Sequence, residues 1–206
     1  MAIGKFITLE GMDGAGKSTH IPNIVSQIES HGETVVCTRE PGGTPLAEEL
    51  REILLHKAMH AETETLLMFA ARREHIAKVI APAIARGDCV ISDRFTDATY
   101  AYQAGAKSVS VDKITVLEKW VQDELQPDMT ILFDVPVEVS IARLASARTP
   151  DKFEREGAEF FEKLRNAYLA RAKQDPARFR IINANQPLET VAKEVEVTIK
   201  EFLLTN

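Results

Sequence analysis

"FITLEGMDGAGKST", Phe6 to Thr19, sets an apolar, β-branched run directly before three glycines and a lysine. Gly11 to Ser18 match G-x-x-x-x-G-K-[ST], with the context the motif requires: a strand pattern before it and helical periodicity after it. The glycines let backbone N–H groups converge on phosphate oxygens, and the N-terminus of the following helix adds a favourable dipole. The stretch therefore predicts a phosphate loop for a nucleoside triphosphate, built from Gly11, Met12, Asp13, Gly14, Ala15, Gly16, Lys17, Ser18 and Thr19. Lys17 is expected to reach the β and γ phosphates, and Ser18 to hold Mg²⁺.

Outward from this loop, short apolar runs alternate with longer runs of helical period. Strands are expected at Phe6–Glu10, Thr34–Thr38, Cys89–Ser92, Thr130–Val135 and Phe179–Asn183, each nearly continuous in apolar character, as strands covered on both faces should be. Ile21, Ile24, Val25 and Ile28 mark a first helix that Gly32 stops. Leu46, Leu50, Ile53 and Leu54 mark a second, opened by Thr44 as N-cap with Pro45 behind it. Further stripes run through 66–80, 114–125, 160–169 and 191–203. Pro22, early in the first helix, removes a backbone hydrogen bond and has no evident role. The β-α-β-α order predicts an α/β fold of three layers, a five-stranded parallel sheet flanked by helices, in one domain over 1–206.

A net charge of −6 argues against a nucleic-acid or anionic-membrane surface. No charged leader precedes the first strand and no apolar stretch is long enough to span a bilayer, so a cytoplasmic protein is expected. Cys37 and Cys89 lie in strand-like runs and read as buried, reduced thiols. His56 and His60 are an i, i+4 pair without a third ligand, and Trp120 reads as core.

Asp93 and Asp134 both end strands, and either can serve the metal. Asp93 is favoured because Arg94 follows it; Asp134 can equally cap the turn before Pro136. On the acceptor side, Arg39 and Arg94 sit just past strand ends, where ligands bind in such sheets. Arg72 and Arg73 fall mid-helix, and Arg72 by itself reads as a solvated side chain.

"FITLEGMDGAGKST", "TREPGGTPLAEELREILL", "LLMFAARREHI", "SDRFTDATYAYQ" and "DKFE" follow in this order and spacing. Together they resemble the bacterial thymidylate kinases, P-loop kinases with a mobile lid. The resemblance runs from Phe6 to about Tyr168. It implies transfer of the γ-phosphoryl of ATP to dTMP with Mg²⁺, giving dTDP on the way to dTTP for DNA replication, in a homodimer. It also implies site roles. Arg39 and Arg94 grip the dTMP phosphate, and Asp13 lies near the sugar 3′-hydroxyl. Phe69 stacks on thymine, and Arg73 donates to its 4-carbonyl. Thr99 and Gln103 line the base edge, while Tyr102 crowds the sugar 2′ position. Some members carry a basic residue within the phosphate loop; others have glycine there and place the charge in the lid. Gly14 and a lid at about 143–157 resemble the second kind, nominating Arg143, Arg148 and Lys152. Departures are Ala98 where serine is usual, Phe95 where Tyr or His is common, and Lys152 where arginine is common.

Two other readings stand beside this one: another P-loop small-molecule kinase, acting on a deoxynucleoside or nucleotide, or a nucleotide-sensing switch. A second anion site favours a kinase over a switch, and the chain has no Asn-Lys-x-Asp base-reading motif.

Overall fold

The structure, a computed structural model, describes residues 4–145 and 151–205. Among these, five strands pair in parallel: β1 (Phe6–Glu10), β2 (Val35–Arg39), β3 (Cys89–Asp93), β4 (Met129–Asp134) and β5 (Phe179–Asn183). Their order is β2-β3-β1-β4-β5. The chain leaves the central strand β1 toward one edge, then returns across it to β4. That reversal opens a crevice at the carboxyl end of β1, where the phosphate loop lies. Leu9 registers with Asp93 and Glu10 with Leu132, so the ends of three strands converge there.

All five residues of β1 are buried, as are the apolar residues of β3 and β4. Thr8 and Thr130 satisfy each other across β1 and β4 through hydroxyls 2.8 Å apart. The edge strands differ from the expectation of continuous burial, because β2 and β5 alternate or expose part of their length. Cys37 is consequently exposed and only Cys89 is buried, and neither forms a disulfide.

The helices are α1 (Lys17–Ser30), α2 (Pro45–His56), α3 (Ala61–His75), α4 (Ala81–Arg86), α5 (Thr96–Thr99), α6 (Val111–Gln122), α7 (Val137–Ala145), α8 (Ala158–Gln174) and α9 (Leu188–Thr205). α3 continues through a π-helical turn, Ile76–Ile80, into α4, and α5 continues into another, Tyr100–Ala106. Thr44 caps α2, accepting from Ala47 N at 3.1 Å. Pro22 lies on the exposed side of α1, while Ile24 and Ile28 are buried. α9 packs Val191, Val195, Ile199 and Phe202 inward at i, i+4, i+8, i+11.

Trp120 is not core. It is 77% exposed, beside Val116 at 65%, because α6 turns Ile114 and Val121 into the core it shares with α3 and this pair away. His56 pairs with Glu52 on the surface, and His60 accepts from Glu62 N at the start of α3. No cluster of three or more His, Cys, Asp or Glu suited to a metal occurs among the described residues. None of the described helices is long and apolar enough to cross a membrane.

Candidate active site

The phosphate loop folds as its glycines require. Gly14 has φ +77, and a Cβ there would lie 2.8 Å from Ser140 O on α7. Ser140 in turn donates from Oγ to Asp13 O at 2.6 Å, so α7 is sealed onto the loop. Lys17 is buried, its Nζ donating to Gly11 O and Met12 O, each at 3.1 Å. Burial, and then the nearby charge of Arg94, lower the Lys17 pKa, against the opposing pull of Asp93 and Asp13.

Ser18 Oγ donates to Asp93 Oδ2 at 3.2 Å. Asp93 Oδ1 is buried with no hydrogen-bond partner. A hydroxyl and a carboxylate with a spare buried oxygen, beside a phosphate cradle, make the hard donor set that suits Mg²⁺. Asp134 is committed elsewhere: Arg165 grips both its oxygens, at 2.7 and 2.8 Å.

A cavity of about 580 Å³ opens over the loop, lined among others by Arg39, Arg51, Asp93, Arg94 and Arg143. Arg143 donates to Gly14 O (3.2 Å) and Ala184 O (3.1 Å). Arg148 lies outside the described residues. Lys152 does not reach this cavity; its ammonium donates to Glu64 Oε2 (2.7 Å) and Lys57 O (3.1 Å) instead. The lid charge expected there is turned toward a buried carboxylate.

A second cavity adjoins the first, and Asp13, Glu40, Arg51 and Arg94 line both. Arg94 follows β3 in a left-handed backbone (φ 72), uncommon for a residue with a side chain. Its guanidinium donates to Gly11 O (3.0 Å), Tyr168 Oη (2.9 Å) and Asp13 Oδ1 (2.7 Å). Asp13 Oδ2 also accepts from Tyr102 Oη at 2.8 Å. Burial alone would raise the Asp13 pKa, but Arg94, Lys17 and the Tyr102 bond outweigh it and hold the carboxyl below its usual range. Below the loop, Glu10 accepts from Phe95 N (2.7 Å) and Tyr168 Oη (2.9 Å), which ties Arg94 to the end of β1.

Arg51 was not apparent from sequence. It donates to Pro41 O at 2.9 Å and stands where the cavities meet, whereas Arg39 is 54% exposed, pairs with Glu48 and lines only the larger one.

Two of the expected residues are missing from the lining of the second cavity. Phe69 does not line it; it is 1% exposed and packs into the core with Phe6, Ile76 and Ile80. Arg73 does not line it either; it is exposed and donates to Val121 O at 2.6 Å. The preceding residue of each pair takes the place: Met68 and Arg72, also i, i+4, face the cavity. One residue along a helix is a rotation of about 100°, which carries Phe69 and Arg73 to another face. Arg72 is thus not solvated. It is 2% exposed, donating from Nε to Glu40 (2.7 Å) and from Nη2 to Phe95 O (3.1 Å) and Thr99 Oγ1 (3.0 Å). His75 holds the other oxygen of Glu40 at 3.0 Å. Arg72 Nη1 is buried without a hydrogen-bond partner. Thr99, Tyr102, Gln103, Ala98 and Phe153 complete the wall.

The family model described as thymidylate kinase matches residues 9–195. The thymidylate kinase of Methylobacillus flagellatus is 67% identical over 199 residues, 97% of this chain and 98% of that protein. That of Cupriavidus pinatubonensis is 61% identical over 198 residues, 95% of this chain and 98% of its own. Among solved structures, the thymidylate kinase of Ehrlichia chaffeensis matches with a TM-score of 0.77 at 33% identity, covering 95% of this chain and 98% of that one.

Proposed function

This chain belongs to the thymidylate kinase family, and from that premise we propose how its residues divide the work. The protein is a nucleoside monophosphate kinase that phosphorylates dTMP to dTDP, a step toward dTTP. ATP occupies the larger cavity, with its phosphates on Gly11–Thr19 and Lys17. Ser18 and Asp93 would hold Mg²⁺, which when bound would neutralise charge on the phosphate oxygens. The dTMP phosphate meets Arg94 and Arg51 at the junction, with Arg39 on the ATP side. Its base lies between Met68, Arg72 and Gln103, and Asp13 and Tyr102 face its sugar.

The observation that carries this reading is the junction. Two cavities share Asp13, Arg51 and Arg94, so a donor phosphate and an acceptor phosphate converge on fixed guanidinium groups. Such groups act on charge spread over the transferring phosphoryl oxygens. Lys17, Arg94 and Arg143 do this from the described residues, and Arg148 remains a nominee of the lid at about 143–157. A deoxynucleoside kinase has no acceptor phosphate to hold, so two arginines at the junction favour a monophosphate substrate. An ADP-release assay across nucleosides and monophosphates tests this: dTMP should show the highest kcat/KM, and faster turnover of thymidine would overturn it.

The chain acts as one kinase domain in the cytoplasm, as a homodimer. Val116 and Trp120 on α6 and Leu66 on the adjoining α3 are exposed apolar side chains, which supports self-association on this side of the molecule.

A further inference from the structure

Glu64 opens the face of α3 that continues through Met68 to Arg72, at i, i+4, i+8. It is 1% exposed, a burial that a carboxylate tolerates only with partners on its oxygens. Gln103 Nε2 donates to Oε1 at 3.0 Å. Lys107 Nζ donates to Oε1 (2.8 Å) and Oε2 (2.9 Å), and Lys152 Nζ to Oε2 (2.7 Å). Burial by itself would raise the Glu64 pKa, but the bonds from Lys107, Lys152 and Gln103 outweigh it and hold the carboxyl low.

An ionised carboxylate has no proton to donate, so only the NH₂ end of the Gln103 amide can face it. The amide oxygen must then be the end that Gln103 offers to the cavity it lines. Gln103 is 1% exposed, within the π-helical turn Tyr100–Ala106. Arg72 lines the same cavity, and its Nη1 is a donor with no hydrogen-bond partner in the protein. Arg72 and Gln103 thus bring a donor and an acceptor to one cavity, a pair complementary to a pyrimidine with a carbonyl at C4 and N–H at N3. Cytosine presents the reverse pattern.

We propose that Glu64 is a positioning residue for base selection: it fixes the polarity of the Gln103 amide so that the cavity accepts a hydrogen bond from N3–H. This rests on the reading of the second cavity as the dTMP site. Glu64 touches no substrate; it acts through Gln103. Without a full negative charge at 64 the amide can turn over, and the acceptor is no longer guaranteed.

The test compares dTMP with its 3-deaza analogue, in which C–H replaces N3–H, in wild type and Glu64→Gln. Wild type should lose about 5- to 150-fold in kcat/KM on the analogue, the usual worth of a base-edge contact. In Glu64→Gln that penalty should shrink to below about threefold, with the change in KM for dTMP rather than kcat. Adding Gln103→Glu to Glu64→Gln restores an acceptor-only side chain at the cavity and should restore the penalty. A merely structural role would weaken both substrates alike and leave the penalty intact. If Glu64→Gln does not fold by circular dichroism, Glu64→Asp, one methylene too short to reach Gln103, should show the same loss. An unchanged penalty in the folded variant, or none in wild type, overturns the proposal. Failure of the underlying reading would look different: wild type would not turn over dTMP.

Discussion

Arg72→Lys separates charge from shape in the second cavity, the proposed base site. A lysine keeps one cation beside Glu40, so no buried carboxylate is stranded, as alanine would strand it. It cannot span to Phe95 O and Thr99 Oγ1, now 3.1 and 3.0 Å from Nη2, and it has no group at the Nη1 position. Losing two such bonds should cost about 2–4 kcal/mol, lowering Tm by about 4–16 °C in a chain of this size. The missing donor to a base carbonyl should cost about 1.5–3 kcal/mol of transition-state stabilisation. That is about 10- to 150-fold in kcat/KM for dTMP. dCMP offers an amino group at that position and should lose little, so the dTMP to dCMP ratio of kcat/KM narrows by the same factor. Arg73→Ala, which removes a single bond to Val121 O on an exposed side chain, should leave the ratio untouched. Steady-state ADP release on folded protein decides. An unchanged ratio in Arg72→Lys, or equal narrowing in Arg73→Ala, would refute the assignment.

Asp93→Asn should raise the Mg²⁺ concentration for half-maximal ADP release by at least about tenfold, on the scale of losing a partner that orients a metal ligand; an unshifted titration would remove Asp93 from the metal site. Trp120→Glu, placing charge on the apolar α6 face, should give a monomer in sedimentation equilibrium, and a persistent dimer would move the interface elsewhere. Burial, and then the charge of Asp97, push the Glu10 carboxyl from 4.5 up to about 7, against the opposing pull of Arg94. The folded protein thus holds that proton more tightly than the unfolded chain, so the stabilisation is complete below about pH 4.5 and lost as pH rises through about 7. Glu10→Gln should flatten the fall of Tm between those values; an identical slope would exclude Glu10 as its source.

The strands were legible because buried parallel strands are continuous apolar runs, and the phosphate loop because its spacing is dictated by backbone geometry. Which strands became edges was not, since strand order is set by crossovers far apart in sequence, and Cys37 was misplaced for that reason. In "LLMFAARREHI" two i, i+4 pairs compete, and local spacing does not choose between Met68/Arg72 and Phe69/Arg73. A signal was present: Phe69 continues into Ile76 and Ile80 at i+7 and i+11, the phase of a core stripe. Arg51 carried no such mark, because its meaning comes from Pro41 and Arg94, brought close only by the fold. The partner of Lys152 was equally hidden, 88 residues away in sequence.

Gly14 has a consequence for ancestry. With Ser140 O 2.8 Å from where its Cβ would be, and Leu144 and Arg143 packed alongside, a cation cannot be grafted onto this loop by one substitution. α7 would first have to withdraw, surrendering the Ser140 bond to Asp13 O and the perch from which Arg143 reaches Gly14 O. Either order of change passes through an enzyme that has neither cation well placed. A lineage that has packed a helix against its phosphate loop therefore inherits glycine there as a commitment, and the further charge has to come from α7 itself, as from Arg143, or from the chain that follows it.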